Sequence, residues 1–570
     1  MAEGRHREGA LPGPAKTALR ASATTAPRQR SPYAVRPAGM AGGRTSRVEP
    51  RCIRVRQEAV AIAHADLPCG DPGMPMNADA NSAVYVKNAA ATGAPTLTKR
   101  ARKMTKVVAT IGPACTNDTI MREMFHAGMN VARLNMSHGD HADHLTRLQM
   151  VRRISAEMER PVAALADLQG PKIRTGRLKD GVPVQWLTGM TTVITVADCP
   201  EGTAQRVGTT YSGLAKDVVP GNIVLIDDGR MRLQVDSIDG DDIHCTVVVG
   251  GLLKNNKGIN LPGVKVSAQS LSEKDKNDLA WAIANDVDYI ALSFVRTARD
   301  VRNIKNRIAE TGRHIPIIAK IEKPEAVESI DEILAEADGI MVARGDLGIE
   351  ISTQRLPVVQ KELISRANRA GKLVITATQM LESMIENPIP TRAESSDVAN
   401  AIFDGSDAVM LSGETATGKY PVEAVAEMMR IAIEAEKSAY MPEPKFNKDG
   451  GSFNHYAMAL SGAADFLSRE LSANGIMVFS PTTEKALLLS KRRGDVPMVA
   501  LCYDIQTWRR MSMLWGVVPL HIPFKDDLND LLESGVEECI RHGIFRDNDT
   551  VVVIYGVSAS GANTIKVHQV

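Results

Sequence analysis

Eight short runs of small and β-branched apolar residues recur between residues 106 and 411, each separated from the next by sequence with helical character. They are Lys106–Ile111, Val131–Met136, Val162–Asp167, Tyr289–Phe294, Ile315–Ile321, Gly339–Ala343, Leu373–Ala377 and Ala408–Leu411. A strand that is apolar along its whole length is buried on both faces, and amphipathic helices between such strands supply the cover. The class is therefore α/β with a parallel sheet. A doubly wound open sheet would give the same local pattern, but eight repeats favour closure into a (β/α)8 TIM barrel.

The third and fourth runs are too far apart for a single helix. From Ile173 to about Val266 the pattern is all-β, with short alternating runs at Val193–Val196, Ile223–Asp227, Arg232–Val235 and His244–Val249 between Gly and Asp turns. This reads as an inserted small β-barrel domain. An insertion in a βα loop sits on the active-site face of a barrel, where it can act as a lid that excludes water. Beyond Met441 a second α/β region is expected, with a helix over 457–473 and strands at Ile476–Phe479, Met498–Leu501, Val517–Ile522, Thr550–Tyr555 and Thr564–Val567. The expected domains are 1–103, a barrel of 104–171 with 266–439, a lid of 172–265, and a C-terminal α/β regulatory domain of 440–570.

Net charge is +1, which argues against a dedicated nucleic-acid binder. Residues 1–60 nevertheless carry twelve Arg or Lys against four acids and little periodic apolar pattern. Such a segment cannot offset its chain entropy by burial, so a mostly disordered N-terminal extension is expected. Three explanations stand open: a start assigned too far upstream, an Arg-rich targeting peptide, or a tail for an acidic partner. No run of 18 apolar residues is present, which speaks against a membrane span. The seven cysteines lie singly, with no CxxC pair, which fits a reducing cytoplasm. Aromatics are only 4%, so the cores must be aliphatic.

Polar residues at the C-terminal ends of barrel strands read as catalytic, because the βα loops converge there. The second run ends in Arg133, Asn135, Ser137 and His138, the third in Asp167, Gly170, Lys172 and Arg174. The fifth ends in Lys320 and Glu322, the sixth in Arg344, Gly345 and Asp346, the seventh in Thr376 and Thr378, the eighth in Ser412 and Glu414. Glu322 and Asp346 end neighbouring strands. Two carboxylates, completed by water and substrate, suit Mg²⁺. Lys320 alternates with Glu322 on one side of its strand, so an ammonium and a metal would grip one anion. Arg133, Lys172 and Arg174 add cations, and the whole resembles an electrostatic clamp for a transferring phosphoryl group. Arg344-Gly345-Asp346 is expected to open a short helix whose N–H groups face an anion. Each feature has a plainer reading: a capping acid, a structural salt bridge at Arg344, a loop histidine at His138. A lone Lys within a buried strand is harder to dismiss, because an unpaired buried charge is costly.

These residues fall into segments that resemble the pyruvate kinase family. The segments are 106–114, 130–139, 170–176, 320–323, 339–350, 377–384, 390–394 and 411–416, among which Ile-Met-Val-Ala-Arg-Gly-Asp-Leu-Gly is highly specific. The resemblance spans 104–570. It implies transfer of the phosphoryl group of phosphoenolpyruvate to ADP, giving pyruvate and ATP, in a homotetramer of the cytoplasm. It further implies that Glu322 and Asp346 hold Mg²⁺ or Mn²⁺ and that Lys320 stabilises the moving phosphoryl group. Arg133 would contact the substrate phosphate, and Gly345, Asp346 and Thr378 the substrate itself. Arg174, His138 and Lys257 would face the nucleotide, and Ser412 and Glu414 would support the proton pathway. A threonine hydroxyl is too weak an acid to work alone, so Thr378 is assigned a relay from water.

Two positions depart from the family pattern. Family members that bind K⁺ do so through residues matching Asn135, Ser137, Asp167 and the Leu168 carbonyl, with a Glu beside them; here that position is Lys172. Its ammonium can replace the ion, so activity without K⁺ is expected. In the C-terminal domain the effector loop is Ser480-Pro-Thr-Thr-Glu-Lys485, without the usual glycine, and 558–564 would form the facing wall. Fructose bisphosphate, another sugar phosphate, AMP, or no effector remain open. Against an active kinase stand a metal-dependent aldolase or lyase acting on related substrates, and a non-catalytic protein that kept the fold. The first has no use for Lys320, the lid or Arg174; the second would have lost Lys320, Glu322 or Asp346.

Overall fold

The computed structural model describes residues 103–267, 270–441, 455–556 and 563–570. The basic N-terminal stretch and residues 558–562 of the expected effector wall lie outside the described residues.

Eight parallel strands close into a barrel: β1 (Lys106–Thr110), β2 (Val131–Asn135), β3 (Ala163–Asp167), β4 (Tyr289–Leu292), β5 (Ile317–Ile321), β6 (Gly339–Ala343), β7 (Leu373–Ala377) and β8 (Ala408–Leu411). They follow one another around the ring, and β1 closes it by pairing with β8. Strand alternation sorts the side chains. Val107, Ala109, Ile290, Ala319, Val342, Val374 and Val409 pack outward in the larger core, while Val108, Leu165, Ala291, Ile318, Met341, Ile375 and Met410 belong to a separate core about the axis. The same parity carries Arg133, Asp167, Ser293, Lys320 and Glu322 to the axis side at one rim.

Two helices matter for the rim. Helix α1 (His141–Glu157) follows β2 and is capped by the Asp140 side chain, which accepts from Asp143 N. Helix α2 (Arg344–Glu350) starts directly at the end of β6, as the sequence suggests.

Between β3 and β4 the chain builds the all-β insertion. Its strands pair as a six-stranded sheet, in the order Ile259–Asn260, Ile223–Ile226, Met231–Asp239, Asp242–Val249, Thr191–Thr195, Arg206–Gly208, with a two-stranded ribbon of Val184–Trp186 and Gly251–Leu253. Both enclose one core that includes Trp186, Ile194, Val224, Leu233 and Val247.

The C-terminal region forms β9 (Gly475–Phe479), β10 (Met498–Cys502), β11 (Val517–His521), β12 (Thr550–Gly556) and β13 (Asn563–Gln569), ordered β11-β10-β9-β12-β13, with only β13 antiparallel. Helices α3 (Ile505–Arg510) and α4 (Leu528–Arg541) flank this sheet. The barrel's axial core continues into it, since Tyr289, Met341 and Met410 share one cluster with Met498, Trp508, Met513 and Trp515. Lys106 Nζ donates to Val517 O at 2.7 Å, Tyr289 Oη to Arg510 O at 2.8 Å, and Ala163 N to Ser512 Oγ at 3.1 Å. All three barrel residues lie at strand starts. This domain therefore closes the N-terminal end of the barrel and leaves the C-terminal rim for chemistry.

Candidate active site

Asp167, the last residue of β3, is the hub of the rim. Arg133 Nε donates to its Oδ2 at 2.7 Å, and Lys320 Nζ lies 3.3 Å from its Oδ1. Lys320 Nζ also reaches Glu322 Oε1 at 2.8 Å and donates to Ser293 Oγ at 2.7 Å. Arg133 is steadied by Thr110 Oγ1 at 2.9 Å. All of these side chains are buried or nearly so, which sharpens every charge interaction among them. Burial works against the charge on Asp167, but Lys320 and Arg133 outweigh it and hold its carboxyl below the usual range. Burial likewise opposes the Lys320 ammonium, and Asp167 and Glu322 overcome it and raise its pKa. Lys320 is thus a fixed cation.

Glu322 is the most strained acid of the set. Burial raises its pKa and Asp346 adds to the rise, while Lys320 and the N–H of Phe294 act the other way. Phe294 N donates to Glu322 Oε2 at 2.8 Å. That N–H is aimed by a left-handed backbone at Phe294, φ +53°. Gly170 makes room for it: at φ +71°, a Cβ there would lie 2.6 Å from Phe294 Cδ2. Asp346 stands in the first turn of α2 and acts electrostatically on both Lys320 and Glu322.

The next strand end is held by Arg344. Its Nη2 donates to the carbonyls of Thr378 at 2.8 Å and Gln379 at 3.0 Å, and its Nη1 pairs with Asp397 at 2.6 Å. Thr378 and Gln379 are both left-handed, φ +67° and +52°. A non-glycine residue adopts that conformation only when its surroundings impose it, and the guanidinium fork does so here. Of the two sequence-level readings of Arg344, the structural one describes its contacts. The strained turn points Thr378 Oγ1 toward α2, where it accepts from Gly345 N at 2.8 Å and donates to Ala377 O at 2.6 Å. Glu414 accepts from Leu381 N at 3.1 Å and Ser412 N at 2.7 Å, so it braces loops. Ser412 Oγ is buried and has no partner among the described residues.

His138 sits across the rim in the β2 loop. Burial lowers its pKa first, and Arg174, Lys172 and Arg133 push the same way, so it is neutral at physiological pH. Arg174 Nη1 donates to Asn256 O at 3.1 Å. Lys257 turns instead to Asp227 of the insertion, at 2.7 Å. Two of the oxygens expected for K⁺ already accept protein donors: Asn135 Oδ1 from Ser137 N at 3.2 Å, and Leu168 O from Ser293 Oγ at 2.6 Å. Asp167 serves two cations, as above.

Ser293, Thr110 and Phe294 escaped the sequence reading. Ser293 carried a usable signal, since it continues the axis-facing parity of Tyr289 and Ala291. Phe294 carried none, because a backbone N–H is the working group.

As a metal site the rim offers oxygen ligands only. Among the described residues no group of three or more His, Cys, Asp or Glu is placed to hold an ion. Two carboxylates with a shared rim fit a hard divalent cation that takes its remaining ligands from substrate and water. This is a barrel rim with a fixed ammonium, a second cation and three carboxylates, beside a β insertion whose Asn260 donates to Glu350 at 3.1 Å.

Known proteins resemble this chain. Residues 102–425 match the family model described as pyruvate kinase, barrel domain, and residues 458–568 that described as pyruvate kinase, alpha/beta domain. The chain belongs to the pyruvate kinase family. It is 44% identical over 472 residues to a pyruvate kinase of Mycobacterium intracellulare, covering 82% of this chain and 98% of the relative. A pyruvate kinase of Geobacillus stearothermophilus is 42% identical over 82% of this chain and 80% of its own length. The crystal structure of a pyruvate kinase from Cryptosporidium parvum superposes with a TM-score of 0.76 at 36% identity, over 82% of this chain and 97% of that one. As in the family, the chain pairs a TIM barrel with a C-terminal α/β domain, and it is a phosphotransferase.

Proposed function

We propose that the barrel rim transfers the phosphoryl group of phosphoenolpyruvate to ADP, yielding pyruvate and ATP in glycolysis, with Lys320 as the central catalytic cation. The observation that carries the residue assignment is Lys320 Nζ held 2.8 Å from Glu322 and 3.3 Å from Asp167 on the inner wall. Arg133 and Lys320 lie on the two sides of Asp167 and face the same volume, where they would neutralise the phosphate oxygens of the substrate. Such preorganised charge is the main catalytic device of phosphoryl transfer. Glu322 and Asp346 would hold Mg²⁺ or Mn²⁺, and the ion when bound supplies Lewis-acid polarisation of the phosphate. Gly345 and Asp346 orient the substrate, and the Thr378 hydroxyl hands on a proton from water as the enolate becomes pyruvate. The unpartnered Ser412 Oγ suits a water on that path. Arg174 and neutral His138 line the approach of ADP; Lys257 reaches it only by leaving Asp227. The insertion works as the lid.

The domain limits 104–171 with 266–439, 172–265 and 440–570 go with this reading. K⁺ is not required, because Lys172 brings a cation to the loop and Asp167, Asn135 Oδ1 and Leu168 O already accept protein donors. A sugar phosphate or AMP acting at 480–485 and a cytoplasmic homotetramer complete the proposal. No helix among the described residues is long and apolar enough to cross a membrane. The decisive assay couples pyruvate formation to lactate dehydrogenase, with phosphoenolpyruvate, ADP and Mg²⁺. Turnover that vanishes with EDTA and returns with Mg²⁺ is expected; NADH loss that does not depend on ADP contradicts it.

A further inference from the structure

Away from the rim, a cavity of about 300 Å³ opens where the C-terminal half of α1 faces α3, β11 and α4. That size lies at the lower end of the range for small-molecule sites. Its basic floor is built from both domains. Arg152 comes from α1 and Arg509 from α3, and they converge on one carboxylate, Asp288, which is fully buried. Arg152 Nη1 lies 2.8 Å from Asp288 Oδ2, and Arg509 Nε donates to Oδ1 at 3.1 Å. Both guanidiniums remain charged, so one positive charge is left over. Arg152 Nη1 is buried against Asp288 with no acceptor in line with its N–H, and its Nη2 donates to Asp286 O at 3.1 Å. Arg509 spends only its Nε on Asp288, and its terminal nitrogens make no hydrogen bond among the described residues.

The acids on the cavity's edge pair elsewhere: with Arg541 between them they carry one negative charge in excess, so the lining balances overall and the excess positive charge is local to Arg152 and Arg509. Glu159 and Glu538 are both held by Arg541, at 2.7 and 2.5 Å, and Glu538 also by His542 at 3.0 Å. The remaining wall combines Ala156, Ile505, Trp508 and Leu520 with the polar Ser155 and His521. Trp508 uses its indole N–H on Pro519 O at 3.2 Å, which leaves its ring as a hydrophobic surface. A guanidinium pair in which Arg509 keeps its terminal donors, beside an aromatic wall, recognises an oxyanion attached to a flat or apolar body.

We propose that this cavity binds a small metabolite whose terminal oxyanion, a phosphomonoester or a carboxylate, bridges Arg152 and Arg509 while its apolar part lies against Trp508 and Leu520. The ligand would thereby join the barrel to the C-terminal domain at a place separate from both the rim and the 480–485 loop. Phenyl phosphate and benzoate are the probes. Each is titrated into the full-length protein at matched ionic strength, with the rim saturated by phosphoenolpyruvate and Mg²⁺, and binding is followed by calorimetry and tryptophan fluorescence. Saturable binding of at least one probe is expected, weakened tenfold or more in Arg509→Gln. Ala156→Phe fills the cavity from an exposed helical position and touches no ion pair, so it should abolish binding even if Arg509→Gln proves unstable. Lys485→Ala should leave binding unchanged. Whichever probe binds identifies the phosphate or the carboxylate source. No saturable binding of either probe, binding that survives Ala156→Phe, or binding lost in Lys485→Ala overturns the proposal.

Discussion

Asp167 shows how one residue can govern several others. The family resemblance assigns it to K⁺, yet its two oxygens are occupied by Arg133 and Lys320. That occupancy, with the Lys172 substitution in the loop after β3, leads to a direct expectation: turnover in potassium-free buffer with a non-coordinating cation matches that in K⁺, and Lys172→Glu creates a requirement for the ion. A large rise in wild-type turnover on adding K⁺ would contradict it. Arg344 makes a second case. Its fork fixes the left-handed carbonyls at Thr378 and Gln379, and an ammonium cannot reproduce that geometry. Arg344→Lys should lower kcat by about 10²-fold, the scale of an ångström-sized misplacement. Circular dichroism should remain native; unchanged kcat would free Thr378 from dependence on the fork.

At the level of elements, the loop after β3 is the tightest point of the rim. A Cβ at Gly170 would meet Phe294 Cδ2 at 2.6 Å and Ser293 Cβ at 2.9 Å, on a backbone with φ +71°. Gly170→Ala should therefore cost about 1–3 kcal/mol in thermal unfolding. It should also raise the Mg²⁺ needed for half-maximal activity, because Phe294 N aims Glu322. The barrel strands were legible because burial on both faces leaves continuous apolar runs; Gly339–Ala343, Leu373–Ala377 and Ala408–Leu411 match to the residue. Four strands of the insertion were missed: Val184–Trp186, Arg206–Gly208, Gly251–Leu253 and Ile259–Asn260. Runs of two or three residues have no period to detect. The charged site residues were legible from strand ends and family resemblance. What escaped was carried by backbone groups or by a lone serine, whose chemistry depends on neighbours that only folding supplies.

Across the whole molecule, the junction of barrel and C-terminal domain concentrates buried charge at the end opposite the rim. Asp407 accepts from Lys491 at 2.5 Å and Arg493 at 2.9 Å, and Lys491 also donates to Asn368 at 2.9 Å. Burial, more than the attraction of Asp407 can offset and with Arg493 adding to the fall, pushes the Lys491 ammonium down to about 8. In the unfolded chain that pKa is higher, so between the two values the unfolded state binds more protons and stability from this group rises with pH. Lys491→Met leaves Asp407 paired with Arg493. Its melting temperature should equal or exceed the wild type's at pH 7, and the difference should shrink toward pH 10; a lower melting temperature at pH 7 would show the ammonium to be stabilising. The fold thus separates a plugged, structural end from the rim, and the proposed chemistry of the rim rests on Lys320. The most direct measurement is kcat of Lys320→Ala in the lactate dehydrogenase-coupled assay, alongside phosphoenolpyruvate binding by calorimetry. A fall in kcat of about 10²–10³-fold or more with binding largely retained is expected; wild-type kcat in that variant would contradict the account.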